Sequence, residues 1–274
     1  MLVIDSGYSH TTVTPLLHGR PIHPAIRRLD VGGKLMTNYL TRLVSLRQFD
    51  MTNEPYTMNL MKESACYVAS DFKADLEATW KGTQGEKRDP TGGGIVKDYV
   101  LPDYQTLHKG YMRDHDPGLA NKKRKLAAGH KVEIEGDIVT LRNERFNVPE
   151  ILFNPMDIGL RQPGLAQIVM QSLSVLPVGL WPGMLANIVV VGGNANIEGF
   201  SHRLQSEIKQ LAPSELLVRL ARPTDPDPVK STWFGGACLA QDESTLAGLS
   251  VTKQEYEEFG AAWMAKKFAQ PGAK

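Results

Sequence analysis

The chain has 274 residues, 42% hydrophobic and 22% charged, and a formal net charge of +1. This is the composition of a globular protein with enough apolar residues for one or two packed cores, and its near-zero charge excludes a general attraction to nucleic acid or anionic membrane, so any basic function must be local. Cys66 and Cys238 lack a metal-ligand spacing and fit buried thiols of a reducing compartment. No apolar run reaches the roughly 18 residues of a membrane span, and there is no signal-peptide pattern after Met1.

In chain order, Leu2 to Pro15 reads as a β-hairpin: β-branched Val3 and Ile4 lead into the tip Asp5-Ser6-Gly7, and Thr12, Val13 and Thr14 lead out of it. Asp, Ser and Gly are ordinary turn residues. The same three suit a phosphate, because glycine lets the backbone approach, turn N–H groups and a serine hydroxyl hold the oxygens, and the Asp orients a metal-bound water. The residues alone leave both readings open. His18-Gly19 turns the chain toward Ile22 to Asp30, and Gly32-Gly33 opens a helix from Lys34 to Leu46 with Leu35, Tyr39, Leu40 and Leu43 on one face. Residues 54 to 72 read as a second helix with an apolar stripe of Met58, Met61, Ala65 and Val68. Its Lys62-Glu63 pair is either solvated or ligand-binding. Lys81 to Gly94 is a loop rich in Gly and charge, Ile95 to Leu101 a strand, and Pro102-Asp103 its turn.

Lys109 to Lys131 reads as an exposed insertion, because its consecutive cations Lys122, Lys123, Arg124 and Lys125 repel one another. Such a run is a nuclear address, a contact to phosphate backbone or an acidic partner, or simply a solvated loop. Ile134 to Leu141 resumes as a strand, Pro155 to Gly164 is a loop, and Leu165 to Leu173 is a short helix with Ile168, Val169 and Leu173 inward. Pro177 to Pro182 is a turn region carrying Trp181. Asn187 to Val191 is an apolar run ending in Gly192-Gly193 and followed by Phe200 to Leu211, which predicts a buried strand, a tight turn and a helix. Open α/β sheets receive ligands at such turns, so the two glycine-bearing turns are expected to share one hollow. Residues 222 to 230 are a rigid proline-rich crossing, Trp233 to Leu239 a buried segment with Trp233, Phe234 and Leu239 as core, and Glu255 to Ala265 an amphipathic helix with Tyr256, Phe259 and Trp263 on one side.

The succession of Asp5-Ser6-Gly7, Asp30-Val31-Gly32-Gly33-Lys34-Leu35, Lys62-Glu63-Ser64-Ala65-Cys66-Tyr67, Asn143-Glu144-Arg145-Phe146, Pro149-Glu150-Ile151-Leu152-Phe153, Gly192-Gly193, Leu211-Ala212-Pro213-Ser214, Trp233-Phe234-Gly235-Gly236 and Thr252-Lys253-Gln254-Glu255-Tyr256 resembles the actin family over almost the whole chain. The resemblance implies an α/β, actin-type (ribonuclease H-like) ATPase fold, represented by its large domain and the C-terminal part of the small domain. Residues 1–31 and 160–229 then correspond to subdomain 3, 32–159 to subdomain 4 with the basic insertion 109–131, and 230–274 to the C-terminal part of subdomain 1. Actin-like chains carry a first phosphate loop and a catalytic glutamine ahead of the Asp-Ser-Gly hairpin, so subdomains 1 and 2 are expected to be largely missing and the sequence to be a piece of a longer protein or an incomplete gene model.

The implied cofactor is ATP or ADP with magnesium, held structurally by Asp5, Ser6, Gly7, Gly33, Lys62, Glu63, Gly192, Gly193 and Asn194, with Gly33 beside the adenosine and Lys62 and Glu63 at the adenine and ribose. No residue is given a catalytic or metal-ligating role. Tyr8 and Ser9 stand where the family has Asp and Gly; Asn194, Asn196 and Ile197 replace a Thr, a Met and a Tyr; Val229 replaces a lysine near the adenine. Loss of that Asp removes a carboxylate that would organise metal and attacking water, so hydrolysis is not expected. The branch resembled is nuclear. It implies a non-motor subunit of a SWR-type chromatin-remodelling complex that exchanges nucleosomal histone 2A for its Z-class variant, in the nucleus with a cytoplasmic pool. Its partners are the other subunits, and nucleosomes or histones through them, with no membrane. A filament-forming, ATP-hydrolysing cytoskeletal actin-like protein is the alternative, and a sugar kinase of the same superfamily would need a catalytic Asp in a hexose motif that is not visible.

Overall fold

Alternating burial along Leu2–Ser6 (β1) and Thr11–Leu17 (β2) sends Leu2, Ile4 and Val13 inward, which is why the two segments pair antiparallel from Leu2 beside Pro15 to Ser6 beside Thr11. The computed structural model describes residues 1–80, 94–116, 118, 136–221 and 227–269, in two units, Met1–Arg222 and Pro223–Lys274. In the first unit the hairpin continues through His18-Gly19. Both residues have positive φ, 49° and 76°, the two-residue turn whose twist suits Leu17 facing Arg20 of β3 (Arg20–Pro21). Arg27–Leu29 (β4) also pairs with β2. On its other side β1 runs parallel to Ile188–Val191 (β8), which runs parallel to Leu220–Ala221 (β9). The mixed sheet therefore reads β3-β2-β1-β8-β9, with β4 beside β2. Leu165–Ser174 and Phe200–Leu211 are amphipathic helices that pack on one another, and the former also packs on β2 and β4.

A second sheet of three antiparallel strands has Lys97–Val100 (β5) between Tyr111–Asp114 (β6) and Ile138–Leu141 (β7). Beside it lie helices Gly33–Arg47 (α1), Pro55–Ala65 (α2) and Glu144–Glu150. The Pro102-Asp103 turn forms as the sequence indicates, with Asp103 accepting from the backbone of Gln105, Thr106 and Leu107.

Several expectations are corrected. The helix expected over 54 to 72 ends at Ala65: the chain extends at Cys66, Tyr67 bridges to Glu198, and a separate helix, Phe72–Trp80, starts where Asp71 accepts from the backbone of Lys73 and Ala74. Within the exposed stretch expected over 109 to 131, Tyr111–Asp114 is instead a sheet strand whose Met112 packs on the core. The loop at 81 to 93, the cations Lys122, Lys123, Arg124 and Lys125, and residues 222 to 226 of the proline-rich crossing lie outside the described residues.

In the second unit, Trp233 to Leu239 is not a buried segment. It belongs to a helix, Ser231–Gln241, in which Trp233 is 69% exposed, Phe234 39% and Leu239 40%. Glu243–Leu249 follows, capped by Asp242. Lys253–Ala269 is then broken at Gly260 (φ 71°), so Tyr256 and Phe259 stay about half exposed instead of forming the inward face of one helix. The physical reason is size: a unit of about 50 residues has too little interior to cover its aromatics.

Candidate functional site

Because β1 and β8 are parallel and Asp5 lies beside Val191, the tip of the first hairpin and the Gly192 turn leave the sheet side by side. Gly192 has φ 94°, and a β-carbon there would stand 2.4 Å from the Ser6 carbonyl oxygen, so only glycine lets these backbones meet. The N-terminus of α1 closes the third side. Gly33 N–H donates to the Gly7 carbonyl (3.0 Å) and Lys34 N–H to the Tyr8 carbonyl (2.7 Å), and a β-carbon on Gly32 would meet the His10 nitrogen at 2.6 Å. These contacts bring Asp5, Ser6, Gly7, Gly33, Lys62, Gly192, Gly193 and Asn194 into one neighbourhood.

A directed chain of hydrogen bonds runs through it. Asn194 is buried, and both protons of its amide nitrogen are in use, one to the Ser6 hydroxyl (3.1 Å) and one to the Gly7 carbonyl (2.9 Å). The Gly7 carbonyl only accepts, which fixes the orientation of the amide. The Thr11 hydroxyl gives its single proton to the Val31 carbonyl (2.9 Å). The 3.0 Å contact between the Ser6 and Thr11 hydroxyls must therefore use the Ser6 proton. The order is Asn194 to Ser6 to Thr11 to Val31, and Ser6 is fully buried within it. Gly7 N–H closes the hairpin on the His10 carbonyl at 3.1 Å.

Lys62 is saturated in the same way. Its ammonium, only 4% exposed, donates to the Gly33 carbonyl (3.1 Å), the Thr37 hydroxyl (3.1 Å) and Asn59 Oδ1 (2.9 Å), and an ammonium has three protons. Burial pushes its pKa below the usual lysine range, with Glu63 pulling the other way. The Tyr8 ring covers Gly33: its Cδ2 is 3.1 Å from where a Gly33 β-carbon would be, and the Lys62 ammonium is 5.9 Å from the ring centre. Glu63 faces solvent and accepts from Asn59 at 2.8 Å. Asp5 opens to solvent at the tip, its carboxyl raised by partial desolvation against the turn and lowered by His10. Thr37, Asn59 and Thr11 are the participants that motif reading passed over, whereas Tyr8 already stood out in the sequence as a departure from the resembled pattern. The spacing held a signal for two of them, since Thr37 is one helical turn after Gly33 and Asn59 is one turn before Lys62 and Glu63.

A second concavity, about 370 Å³, lies between Ser70 to Lys73 and helix Phe200–Leu211. Its floor is the pair Arg203–Glu150 (3.0 Å), with Arg203 also bound to Glu207 and to the Ala69 carbonyl. These charges answer one another, which makes it a structural joint. Among the described residues no cluster of three or more His, Cys, Asp or Glu side chains has the geometry for a metal ion, and no helix is long and apolar enough to cross a membrane.

Comparison with known proteins places this arrangement. The family described as Actin matches residues 1–269. The chain is 63% identical to "Actin-related protein 6" of Neurospora crassa over 98% of its own length and 59% of the relative's. It is 52% identical to "Actin-like protein arp6" of Aspergillus fumigatus, covering 98% and 58%, and 38% identical to "Actin-related protein 6" of Drosophila melanogaster, covering 94% and 60%. It thus spans about three fifths of the length of these curated relatives. Two glycine turns of one α/β unit meet beside a helix N-terminus, in a sequence that the family profile covers almost end to end, and the chain belongs to the actin family.

Proposed function

We propose that this chain is the large-domain part of a non-motor actin-related subunit of a SWR-type chromatin-remodelling complex, which exchanges nucleosomal histone 2A for its Z-class variant in the nucleus. The complex's own motor subunit hydrolyses ATP. This subunit contributes a rigid surface to the other subunits and reaches nucleosomes and histones through them. The reading is supported by similarity to proteins named actin-related protein 6. The observation that carries it is the hairpin itself. Tyr8 and Ser9 follow Asp5-Ser6-Gly7, so no second carboxylate stands at the tip to organise a metal and a water, while the scaffold around the tip is kept. The basic run Lys122 to Lys125 supplies a nuclear address or an acidic-partner contact.

The test is affinity purification of the full-length polypeptide from nuclear extract, with mass spectrometry of what co-elutes and a histone-exchange assay on the eluate. Recovery of a remodelling motor with exchange activity is expected. A purified polypeptide that sediments as filaments with magnesium and ATP, and hydrolyses ATP at actin-like rates, would overturn the proposal in favour of the cytoskeletal reading.

A further inference from the structure

The side-chain donors that the resemblance gives to a nucleotide are already engaged within the chain. The Ser6 proton goes to Thr11, both Asn194 amide protons go to the hairpin, the three Lys62 protons go to α1 and α2, and Gly7 N–H goes to His10. Only Asp5 and Glu63 keep carboxylate oxygens turned to solvent, and these repel phosphate. The face of Gly33 is overlain by the Tyr8 ring, which is itself 59% exposed and so caps the site from the solvent side.

We infer that the hollow is closed from within: Tyr8 lies over Gly33 and Lys62 in place of a base, and the Asn194–Ser6–Thr11–Val31 chain ties the turn after β8 to the hairpin and to the start of α1 in place of a bound nucleotide. In an actin-type fold the ligand at this point bridges elements remote in sequence. Here residues 188 positions apart are bridged directly by Asn194 and Ser6. Each side-chain proton in this run of hydrogen bonds has an acceptor, and such a network rigidifies what it joins, so the unit needs no ligand at this point to hold these elements together. The inference rests on reading the cleft as non-catalytic, but it fails or stands separately from the proposed complex.

The experiment takes the full polypeptide, purified without added nucleotide. Acid release followed by ion-exchange chromatography measures bound adenine nucleotide, and thermal unfolding is followed before and after apyrase with a magnesium chelator. The expected result is far less than one equivalent of nucleotide, a melting temperature unmoved by apyrase, and no upward shift with excess ATP and magnesium. One equivalent of released nucleotide, or a melting temperature that falls after apyrase, overturns the inference. Asn194→Asp keeps the side-chain volume and removes both donors, so its melting temperature should fall by several degrees without any change in nucleotide content. An Asn194→Asp protein as stable as the parent overturns the network as the stabilising element. If that variant fails to fold, the nucleotide content of the parent still decides. Nucleotide-bearing protein found in the remodelling complex sinks only this inference, and nucleotide-free protein absent from the complex sinks only the functional reading.

Discussion

Arg203→Ala should be among the most damaging single substitutions in the first unit, and the size of the loss should depend on pH. The guanidinium is 13% exposed and the Glu150 carboxylate 2%. Arg203 also donates to Glu207 and to the Ala69 carbonyl, and it lies 5.1 Å from the centre of the Phe153 ring. Removing one partner of such a pair leaves a buried charge uncompensated, a cost of about 3–5 kcal/mol near neutral pH. For a unit of this size that is a fall in Tm of roughly 6–20 °C. Burial already raises the pKa of Glu150, and Arg203 is the main group holding it down. A carboxyl whose folded pKa is raised costs stability as pH rises from its unfolded value to its folded value, because over that interval the folded state binds the extra proton. Loss of Arg203 raises the folded value further and widens the interval. The cost of Arg203→Ala should therefore shrink toward about 1–2 kcal/mol, the lost packing and hydrogen bonds, as pH falls toward the ordinary glutamate range. Glu150→Gln should restore much of the stability of Arg203→Ala at pH 8 and little at pH 4. Urea unfolding followed by circular dichroism at several pH values reads both effects. A cost under about 1 kcal/mol, or one independent of pH, would show that the pair behaves as a surface ion pair and refute the reasoning.

The exposed pair Arg28–Asp30, at 58% and 52% exposure, supplies the contrast: Arg28→Ala should change stability by less than about 1 kcal/mol in the same assay. Ser6→Ala interrupts the buried hydroxyl chain, leaving the Asn194 donor without its acceptor, and should cost about 1–3 kcal/mol. The effect should be non-additive with Asn194→Ala in a double-mutant cycle. Gly192→Ala and Gly19→Ala both place alanine at positive φ, yet only the first drives a β-carbon into backbone. Gly19→Ala should cost about 1–2 kcal/mol, whereas Gly192→Ala should cost markedly more or prevent folding, as thermal melts would show. Burial pushes the Cys66 thiol up to about 12, while Cys238, expected to be buried as well, is exposed on the helix Ser231–Gln241. Maleimide labelling at pH 7.5 should modify Cys238 promptly and Cys66 only after denaturant, read by peptide mass spectrometry.

What the sequence made legible was local chemistry. The alternation in Leu2–Ser6, the turn pair His18-Gly19 and the apolar run before Gly192 each imposed its element, because backbone geometry and one buried face decide such segments without distant help. The meeting of the two glycine turns was legible too, since a parallel pair of buried strands delivers both turns at the same edge. Proton allocation was not legible. Lys62 reads as a charge beside Glu63 in one dimension, and only folding shows that its three protons meet Gly33, Thr37 and Asn59. The aromatics of residues 233 to 263 misled for the opposite reason. Apolar character promises a core only when enough chain is at hand to wall it in, and Trp233 within a short helical unit stays open to solvent whatever its preference. The same limit governs function. A family motif fixes where a backbone must bend, as it does at Asp5-Ser6-Gly7 and Gly192-Gly193, but what the bend holds is set by the side chains that reach into it. Here Asn194 and Tyr8 are the side chains that do so. Elements tied to one another by Asn194 and Ser6 keep their geometry through the chain's own hydrogen bonds, and a surface built on them is most constant when it does not depend on the occupancy of a ligand.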